Sequence, residues 1–268
     1  MNQSEVVELR CLKVRSGGRI ILDVDFLRIE AGGMVALIGP NGAGKTTLLK
    51  SCLGLVRNAE GWITVLGENV FSLRGKQLAA FRRRVGCVPQ MLPGRSEFPI
   101  TVREVVTTGR TARAGLWRRL SHEDRRTVDE WLERLGLLPV ADRPFAAISG
   151  GEQRKTIIAR AMVQEPELLL LDEPTANLDL GWRETVVDTI QQIHIQTGIS
   201  VVLVCHELEV LPPGCRRVIA IESGRLIADG MPEEVLTEAF IRKLYGPGFG
   251  VWHGHGRHAL LPTIGVND

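Results

Sequence analysis

One glycine-rich turn constrains the fold of this chain more than any other feature of its sequence. Residues 39–46 read Gly-Pro-Asn-Gly-Ala-Gly-Lys-Thr, which matches the phosphate-binding loop pattern at every fixed position. The run before the turn, residues 34–38, is almost wholly apolar, as in a buried central strand. A helix is predicted to start near Gly44, with leucines on its inner face. The sequence of strand, turn and helix predicts an α/β fold with a P-loop core.

The residue types in this loop suit a bound polyphosphate. Glycines let successive backbone N–H groups point inward, and the positive end of the following helix adds to their attraction. Lys45 is predicted to neutralise charge on the outer phosphates, and the Thr46 hydroxyl to coordinate Mg²⁺. The nucleotide-binding residues predicted here are Gly39, Pro40, Asn41, Gly42, Ala43, Gly44, Lys45, Thr46 and Thr47.

Composition excludes several classes of protein. Of the 268 residues, 44% are hydrophobic and 24% charged, as in a folded domain rather than a disordered chain. The net charge of +2 gives no global field that would favour nucleic acid. The five cysteines show no CxxC spacing and no disulfide framework, which predicts a reducing cytoplasm. With no secretory signal and no apolar run near the ~20 residues that cross a bilayer, any membrane role is expected to require a partner.

The segments outside the loop predict how the rest of the chain is arranged. Residues 6–14 and 19–29 are rich in β-branched residues and predict an antiparallel hairpin, the start of an N-terminal β subdomain. Residues 168–171 and 200–205 predict short buried strands, with a helix over 182–196 between them. This alternation favours a mainly parallel sheet with helical crossovers.

Helical patterns dominate residues 88–143, which we interpret as an inserted α-helical subdomain. Ser121 is the predicted N-cap of one of its helices. The predicted organisation is a single domain over residues 1–245, with core segments 1–87 and 144–245. A Gly- and His-rich tail, residues 246–268, is predicted to be loosely ordered, and its histidines to be incidental, with metal sensing as the alternative.

A pair of carboxylates follows the second apolar run. Residues 168–171 lead directly into Asp172 and Glu173. Asp172 suits a Mg²⁺ ligand, and Glu173 suits a general base or a group that orients water beside the γ-phosphate. A P-loop alone leaves kinases, GTPases and many ATPases open, so other motifs must decide between them.

A second glycine turn supplies the deciding motif. Residues 148–152 read Ile-Ser-Gly-Gly-Glu and open a predicted helix over 153–164, a second helix N-terminus that favours anions. Here the chain resembles the ABC ATPase family, whose signature is LSGGQ, and the resemblance spans about residues 6–245. It implies that Gln90 lies in the Q-loop, where it contacts Mg²⁺ and the attacking water. It also implies that Asp179 lies in the D-loop and that His206 is the switch histidine that contacts the γ-phosphate.

The resemblance further implies a working dimer. In this family two ATPase subunits pack head to tail, and each ATP lies between the P-loop of one subunit and the signature of the other. The residues expected to complete the partner's site are Ser149, Gly150, Gly151, Glu152 and Asp179. The family's aromatic near position 16 is absent here, which leaves base selectivity loose or adenine stacked on Arg15. Arg154 and Lys155 stand where the family generally has Gln-Arg.

The predicted function is therefore ATP hydrolysis that drives transport by separate integral membrane permease subunits. A segment over residues 98–121 looks like the helical subdomain of importers for metal ions, ferric siderophores, haem or cobalamin, which predicts a metal ion or metal chelate as cargo. The expected cofactors are ATP and Mg²⁺. The expected partners are a second ABC ATPase subunit, which is a copy of this chain or, as the alternative, a different chain, together with a permease and an extracytoplasmic binding protein. The expected location is the cytoplasmic face of the inner membrane. The alternatives are a soluble ABC ATPase acting on ribosomes or DNA, an exporter motor, and a P-loop kinase.

Overall fold

A computed structural model describes residues 5–90, 100–114 and 119–262. Its strands are β1 Glu5–Ser16, β2 Arg19–Glu30, β3 Met34–Ile38, β4 Ala59–Val65, β5 Glu68–Asn69, β6 Val85–Val88, β7 Leu168–Asp172, β8 Ser200–Val204, β9 Arg217–Glu222, β10 Arg225–Gly230, β11 Phe249–Gly254 and β12 Arg257–Pro262. Its helices are α1 Lys45–Cys52, α2 Gly75–Arg83, α3 Val102–Ala114, α4 His122–Arg134, α5 Gly150–Met162, α6 Leu180–Thr197, α7 Pro232–Val235 and α8 Glu238–Tyr245. Part of the segment that suggested the cargo, residues 98–99 and 115–118, lies outside the described residues.

An antiparallel sheet forms the N-terminal part of the fold. Its strand order is β2-β1-β4-β5, and the predicted hairpin of β1 and β2 is confirmed. Gly17 and Gly18 make the turn with φ of 55° and 79°, a left-handed conformation that glycine adopts without a Cβ penalty. Alternate residues of β1 and β2 are buried, so one face of this sheet packs on the core.

The central sheet has six strands in the order β10-β9-β3-β8-β7-β6. The pairs from β9 across to β6 are parallel, and β10 runs antiparallel to β9, which confirms the predicted mainly parallel sheet. The carboxyl ends of parallel strands meet at one edge of a sheet. The segments that follow β3, β6, β7 and β8 therefore converge at that edge, and they carry the P-loop, Gln90, Glu173 and His206.

Both faces of this sheet are covered, as a parallel sheet requires. Side chains of β3 alternate between two apolar clusters because successive residues of a strand point to opposite faces. Met34 and Ile38 pack in the cluster built with α3, α4, α5 and α6, whereas Val35 and Leu37 pack in the cluster built with β1, β2 and α1. The P-loop thus begins at the end of a strand that is fixed from both sides.

The predicted helical segment is built from α3 and α4, which lie against α5. A Cβ atom on Gly109 of α3 would stand 2.0 Å from the carbonyl oxygen of Arg160 on α5, so only glycine allows this approach. Ser121 is the N-cap of α4, as predicted, and forms a capping box with Asp124. Hydrogen bonds from Ser121, together with the Arg110 guanidinium, hold the pKa of Asp124 at about 2. The ion pair of Arg110 with Asp124, at 2.6 Å, joins α3 to α4.

No helix within the described ranges is both long enough and apolar enough to cross a membrane.

The prediction of a loosely ordered tail is wrong for residues 249–262. They form the antiparallel hairpin of β11 and β12, whose Val251 and Leu260 pack on the main apolar cluster. The glycines that suggested flexibility include a turn residue, Gly256, with φ of 71°. Arg257 fixes the hairpin to the rest of the chain by an ion pair with Glu184 of α6. Composition misled here because it reports local flexibility, while the hairpin is ordered by distant contacts.

Two tail histidines bond each other rather than facing solvent. His253 Nε2 lies 3.1 Å from the carbonyl oxygen of Leu236, so this nitrogen donates and Nδ1 accepts. His258 Nδ1 lies 2.7 Å from His253 Nδ1 and is the donor to it. Burial, with a smaller effect of His253, lowers the pKa of His258 below its ordinary value of 6.5. In the part of the chain that the structure describes, no cluster of three or more His, Cys, Asp or Glu side chains could hold a metal ion.

This histidine pair is expected to make stability depend on pH. The unfolded chain protonates His258 near pH 6.5, whereas the folded chain does so only at lower pH. The folded state therefore loses stability as the pH falls below about 6.5. We expect a lower Tm at about pH 5.5 than at about pH 7.5, measured by circular dichroism melts. His258→Asn keeps an N–H donor near the position of Nδ1 but does not titrate, so the difference in Tm between the two pH values should become smaller. An unchanged difference in Tm would show that His258 does not cause the pH dependence.

Candidate nucleotide-binding and hydrolysis site

The P-loop is a tight turn that requires glycine at two of its positions. Gly39 has φ of 142°, and a Cβ atom there would stand 2.0 Å from the carbonyl oxygen of Ile221. Gly44, with φ of 107°, is the N-cap of α1, and its Cβ would meet the Ile21 carbonyl at 2.9 Å. The backbone therefore packs against β9 and β2 on both sides of the loop, and the N-terminus of α1 points at its centre.

Lys45 is buried inside this loop, with 4% of its surface exposed. Its Nζ donates to the carbonyl oxygens of Gly39, at 2.7 Å, and Pro40, at 2.9 Å. Burial lowers the pKa of Lys45, and the negative charge of Glu173 opposes that shift. The ammonium group is thus held at a fixed point beside the carboxylates instead of reaching into solvent.

Thr46 and Asp172, which are 126 positions apart in the sequence, bring two oxygen groups together. The Thr46 hydroxyl donates to Asp172 Oδ1 at 2.9 Å. Burial raises the pKa of Asp172, and the hydrogen bond from Thr46 partly opposes the rise. A hydroxyl and a carboxylate side by side are hard oxygen ligands of the kind that Mg²⁺ takes from proteins.

Glu173 stands between Gln90 and His206. The amide Nε2 of Gln90 donates to Glu173 Oε2 at 2.5 Å, and His206 Nε2 contacts Glu173 Oε1. His206 Nδ1 lies 3.4 Å from Lys45 Nζ, so Nδ1 accepts and Nε2 is the donor to the carboxylate. Glu173 itself has φ of 49°, a left-handed conformation that is costly for a residue with a side chain and that concentrates at functional sites.

Of these polar side chains, all but Asp172 border one cavity of about 320 Å³. It is lined by residues 41–47 of the P-loop together with Ile21, Gln90, Glu173 and His206. The structure thus brings together side chains from four separate segments that the sequence assigned to a nucleotide site. An apolar side chain, Ile21 of β2, also borders the cavity and was missed by sequence reasoning, since it carries no motif. Arg15, the candidate for stacking on adenine, pairs instead with Glu60 at 3.5 Å.

The second glycine turn lies outside the lining of the P-loop cavity, with Ser149 and Gly150 exposed. Ser149 is the N-cap of α5 and forms a capping box with Glu152, whose carboxylate accepts from the Ser149 backbone at 2.8 Å and hydroxyl at 2.7 Å. These hydrogen bonds lower the pKa of Glu152. Glutamate at position 152 therefore completes the capping box at the start of α5.

Residues around this turn fix its shape. The Trp182 ring covers Gly151 so closely that a Cβ atom there would stand 2.0 Å from it. Asp179 is the N-cap of α6, and its Oδ1 accepts from the Trp182 backbone at 2.9 Å. Among the described residues, those that line the P-loop cavity include neither Ser149, Gly150, Gly151 and Glu152 nor Asp179. The chain thus presents two separate sets of predicted nucleotide contacts.

The fold and the cavity together define a P-loop nucleotide-binding protein. Residues 22–176 match the family model of the ABC transporter. A hemin import ATP-binding protein of Streptomyces coelicolor is 40% identical over 87% of this chain and 81% of its own length. A phosphonates import ATP-binding protein of Rhodopseudomonas palustris is 36% identical over 87% of each chain. The structure of cbiO1 from Clostridium perfringens, part of the ABC transporter complex cbiONQ, matches with a TM-score of 0.77 at 27% identity, over 89% of this chain and 93% of that one.

The chain therefore belongs to the ABC transporter family. Within it, the chain is an ATP-hydrolysing subunit, as the resemblance carried by the second glycine turn led us to expect. The kinase and the ribosome- or DNA-directed alternatives are not favoured by these matches.

Proposed function

We propose that two copies of this chain hydrolyse Mg²⁺-ATP beneath a membrane permease and so drive the import of a metal ion or metal chelate. One observation carries the proposal: Glu173 lies at the carboxyl edge of the sheet with Gln90 on one carboxylate oxygen and His206 on the other, beside the P-loop cavity. A carboxylate held in this way beside a phosphate-binding loop is suited to accept a proton from water.

Binding of ATP is assigned to residues 39–47. Their backbone N–H groups and the N-terminus of α1 attract the phosphates, and Lys45 supplies a positive charge that needs no reorganisation because it is already fixed. Ile21 offers the adenine ring of ATP an apolar contact on the β2 side of the cavity.

The residues present fit Mg²⁺. Thr46 and Asp172, which lie side by side, would provide two oxygen ligands, and Gln90 a third contact through its amide oxygen. The remaining ligands would be phosphate oxygens and water. A site with so few protein ligands is typical of Mg²⁺ in nucleotide hydrolases. When bound, the ion neutralises charge on the phosphate oxygens.

In the proposed hydrolysis step, the oxygen of the attacking water bonds to the γ-phosphorus while Glu173 accepts a proton from that water. The bond from that phosphorus to the β–γ bridging oxygen breaks, and ADP and phosphate leave. His206, whose Nε2–H contacts Glu173, and Gln90 hold the carboxylate in place and orient the water. Lys45 stabilises the charge that develops on the phosphate oxygens.

The second set of contacts is assigned to the partner's nucleotide. Ser149, Gly150, Gly151 and Glu152 open α5 at a distance from the chain's own cavity lining, and a helix N-terminus favours anions. We assign them, with Asp179, to the γ-phosphate of ATP held by a second copy packed head to tail. Loss of that phosphate on hydrolysis would loosen the dimer and supply the mechanical stroke.

Cargo, membrane partners and location complete the proposal. Proteins named for hemin import and for phosphonates import match this chain at 40% and 36% identity, so the motor's sequence alone discriminates weakly between cargoes. We propose a metal ion or metal chelate on the likeness of residues 98–121 to such importers. The chain would act at the cytoplasmic face of the inner membrane, on a permease that receives its cargo from an extracytoplasmic binding protein. Purification from membrane extracts with a permease would support this, and purification with ribosomes alone would contradict it.

The dimer is tested with the hydrolysis-blocked variant Glu173→Gln. We expect this variant to dimerise with Mg²⁺-ATP and to stay monomeric with Mg²⁺-ADP, measured by analytical ultracentrifugation. Adding Ser149→Arg should abolish the dimer without weakening ATP binding, because position 149 lies outside the chain's own cavity. A strictly monomeric Glu173→Gln protein, with and without the permease, would exclude the proposed sandwich.

A further inference from the structure

Arg154 is a buried arginine that the proposed hydrolysis has not used. It lies one turn into α5 and has 2% of its surface exposed, the largest fully buried side chain of the described residues. Arginine is almost never fully buried unless it is paired. Within residues 5–90, 100–114 and 119–262, however, the guanidinium makes no ion pair with a carboxylate, and its Nε has no hydrogen-bond partner.

Its contacts are two backbone carbonyls of the Q-loop. Nη1 donates to the carbonyl oxygen of Pro89 at 2.8 Å, and Nη2 donates to that of Gln90 at 3.0 Å. The planar guanidinium thus holds two successive carbonyl groups in a fixed relation. Burial lowers the pKa of Arg154, while the charges of Asp172 and Glu173 oppose that shift, which places this cation near both carboxylates.

Gln90 joins this contact to the reacting groups. Its backbone carbonyl is held by Arg154, and its side-chain amide donates to Glu173 Oε2 at 2.5 Å. A shift of the Gln90 backbone would therefore move that amide relative to the carboxylate. A displacement of about 1 Å is enough to reduce catalysis substantially.

We propose that Arg154 is a positioning residue that fixes the Q-loop backbone so that Gln90 stays on Glu173. Its place on α5, one turn after Ser149, also ties the Q-loop to the helix whose N-terminus we assign to the partner's nucleotide. The unpaired buried charge, which costs stability, is retained because the guanidinium can reach both carbonyls at once. This inference rests on the proposed function, since it concerns the same hydrolysis step.

The test is a double-mutant cycle with Gln90. Arg154→Met keeps an unbranched apolar stem but removes the guanidinium and its donors, and we expect it to lower kcat about tenfold with KM for ATP changed less than about twofold. In the Gln90→Ala background the same substitution should change kcat by less than about twofold, because its effect passes through Gln90. A general loss of packing would lower activity equally in both backgrounds. An equal loss in both, or an unchanged kcat in the folded single variant, would overturn the proposal.

Two further variants secure the result. Arg160→Met removes another partly buried guanidinium from the same helix, one whose charge acts on Cys87, and kcat should stay within about twofold. If Arg154→Met does not fold, the cycle is repeated with Arg154→Lys, which keeps the charge but has one donor nitrogen in place of the planar fork. Its loss of kcat should be smaller, and this loss must likewise be absent in the Gln90→Ala background. ATP hydrolysis by the unaltered chain and its loss in Glu173→Gln test the proposed function separately. If the effects of the Arg154 and Gln90 substitutions are additive, only the inference about Arg154 is therefore contradicted.

Discussion

Glutamine in place of Glu173 is expected to lower kcat for ATP hydrolysis by about 100-fold or more while ATP still binds. The amide has nearly the shape of the carboxylate but accepts only one of the two hydrogen bonds from Gln90 and His206, and it cannot accept a proton from water at neutral pH. Phosphate release measures kcat, and titration with a fluorescent ATP analogue measures Kd. A kcat within about fivefold of the original would remove Glu173 from the role of base.

A neighbouring glutamate provides the matched control. Glu207 follows His206 and pairs with Arg183, with half of its side chain exposed. Glu207→Gln makes the same change of charge close to the site, but the residue is not in the lining of the P-loop cavity. Its kcat is expected to stay within about twofold. A similar loss in both variants would point to a general effect of charge rather than to proton transfer.

Alanine in place of Lys45 is expected to act on binding instead. The change removes a buried cation whose position is fixed by Gly39 and Pro40. Hydrogen bonds to charged groups contribute about 1.5–3 kcal/mol each, so Kd for ATP should rise about tenfold to 100-fold. The same titration measures it, and an unchanged Kd would contradict the assignment of the P-loop.

Lys50, on the same helix as Lys45, provides a control that distinguishes the effect of losing a positive charge from the effect of its buried position. It lies in the last turn of α1 and is exposed. Lys50→Ala removes the same charge from the chain, so a weak effect on Kd would show that the buried position of Lys45 decides binding. An exposed charge of this kind is expected to contribute little.

Three elements show what could be predicted from the sequence. The strand over 34–38, the helix that begins after Gly44 and the helix capped by Ser121 are confirmed nearly to the residue. Each depends on contacts within a few residues: apolar periodicity, a glycine turn or a capping box. Such contacts join residues that are close in the sequence, so they can be predicted without knowledge of the remaining fold.

Arg154, Ile21 and the C-terminal hairpin show what could not. Arg154 and Pro89 are 65 positions apart, and no local pattern links them. Ile21 is an ordinary strand residue whose place at the cavity depends on how β2 crosses the P-loop. The hairpin looked flexible because glycines and histidines dominate its composition, yet it is held by contacts with α6 and the main apolar cluster.

By itself the sequence determined the class of chemistry: a loop that binds phosphates, a carboxylate pair after a buried strand, and a second glycine turn that opens a helix. Only the tertiary structure decided which groups meet. The parallel order β3-β8-β7-β6 brings four loop segments to one edge of the sheet, where Glu173 contacts both Gln90 and His206. The reason is physical: residue patterns report burial and turn geometry over a few positions, whereas distances between remote side chains are set by how whole strands and helices pack.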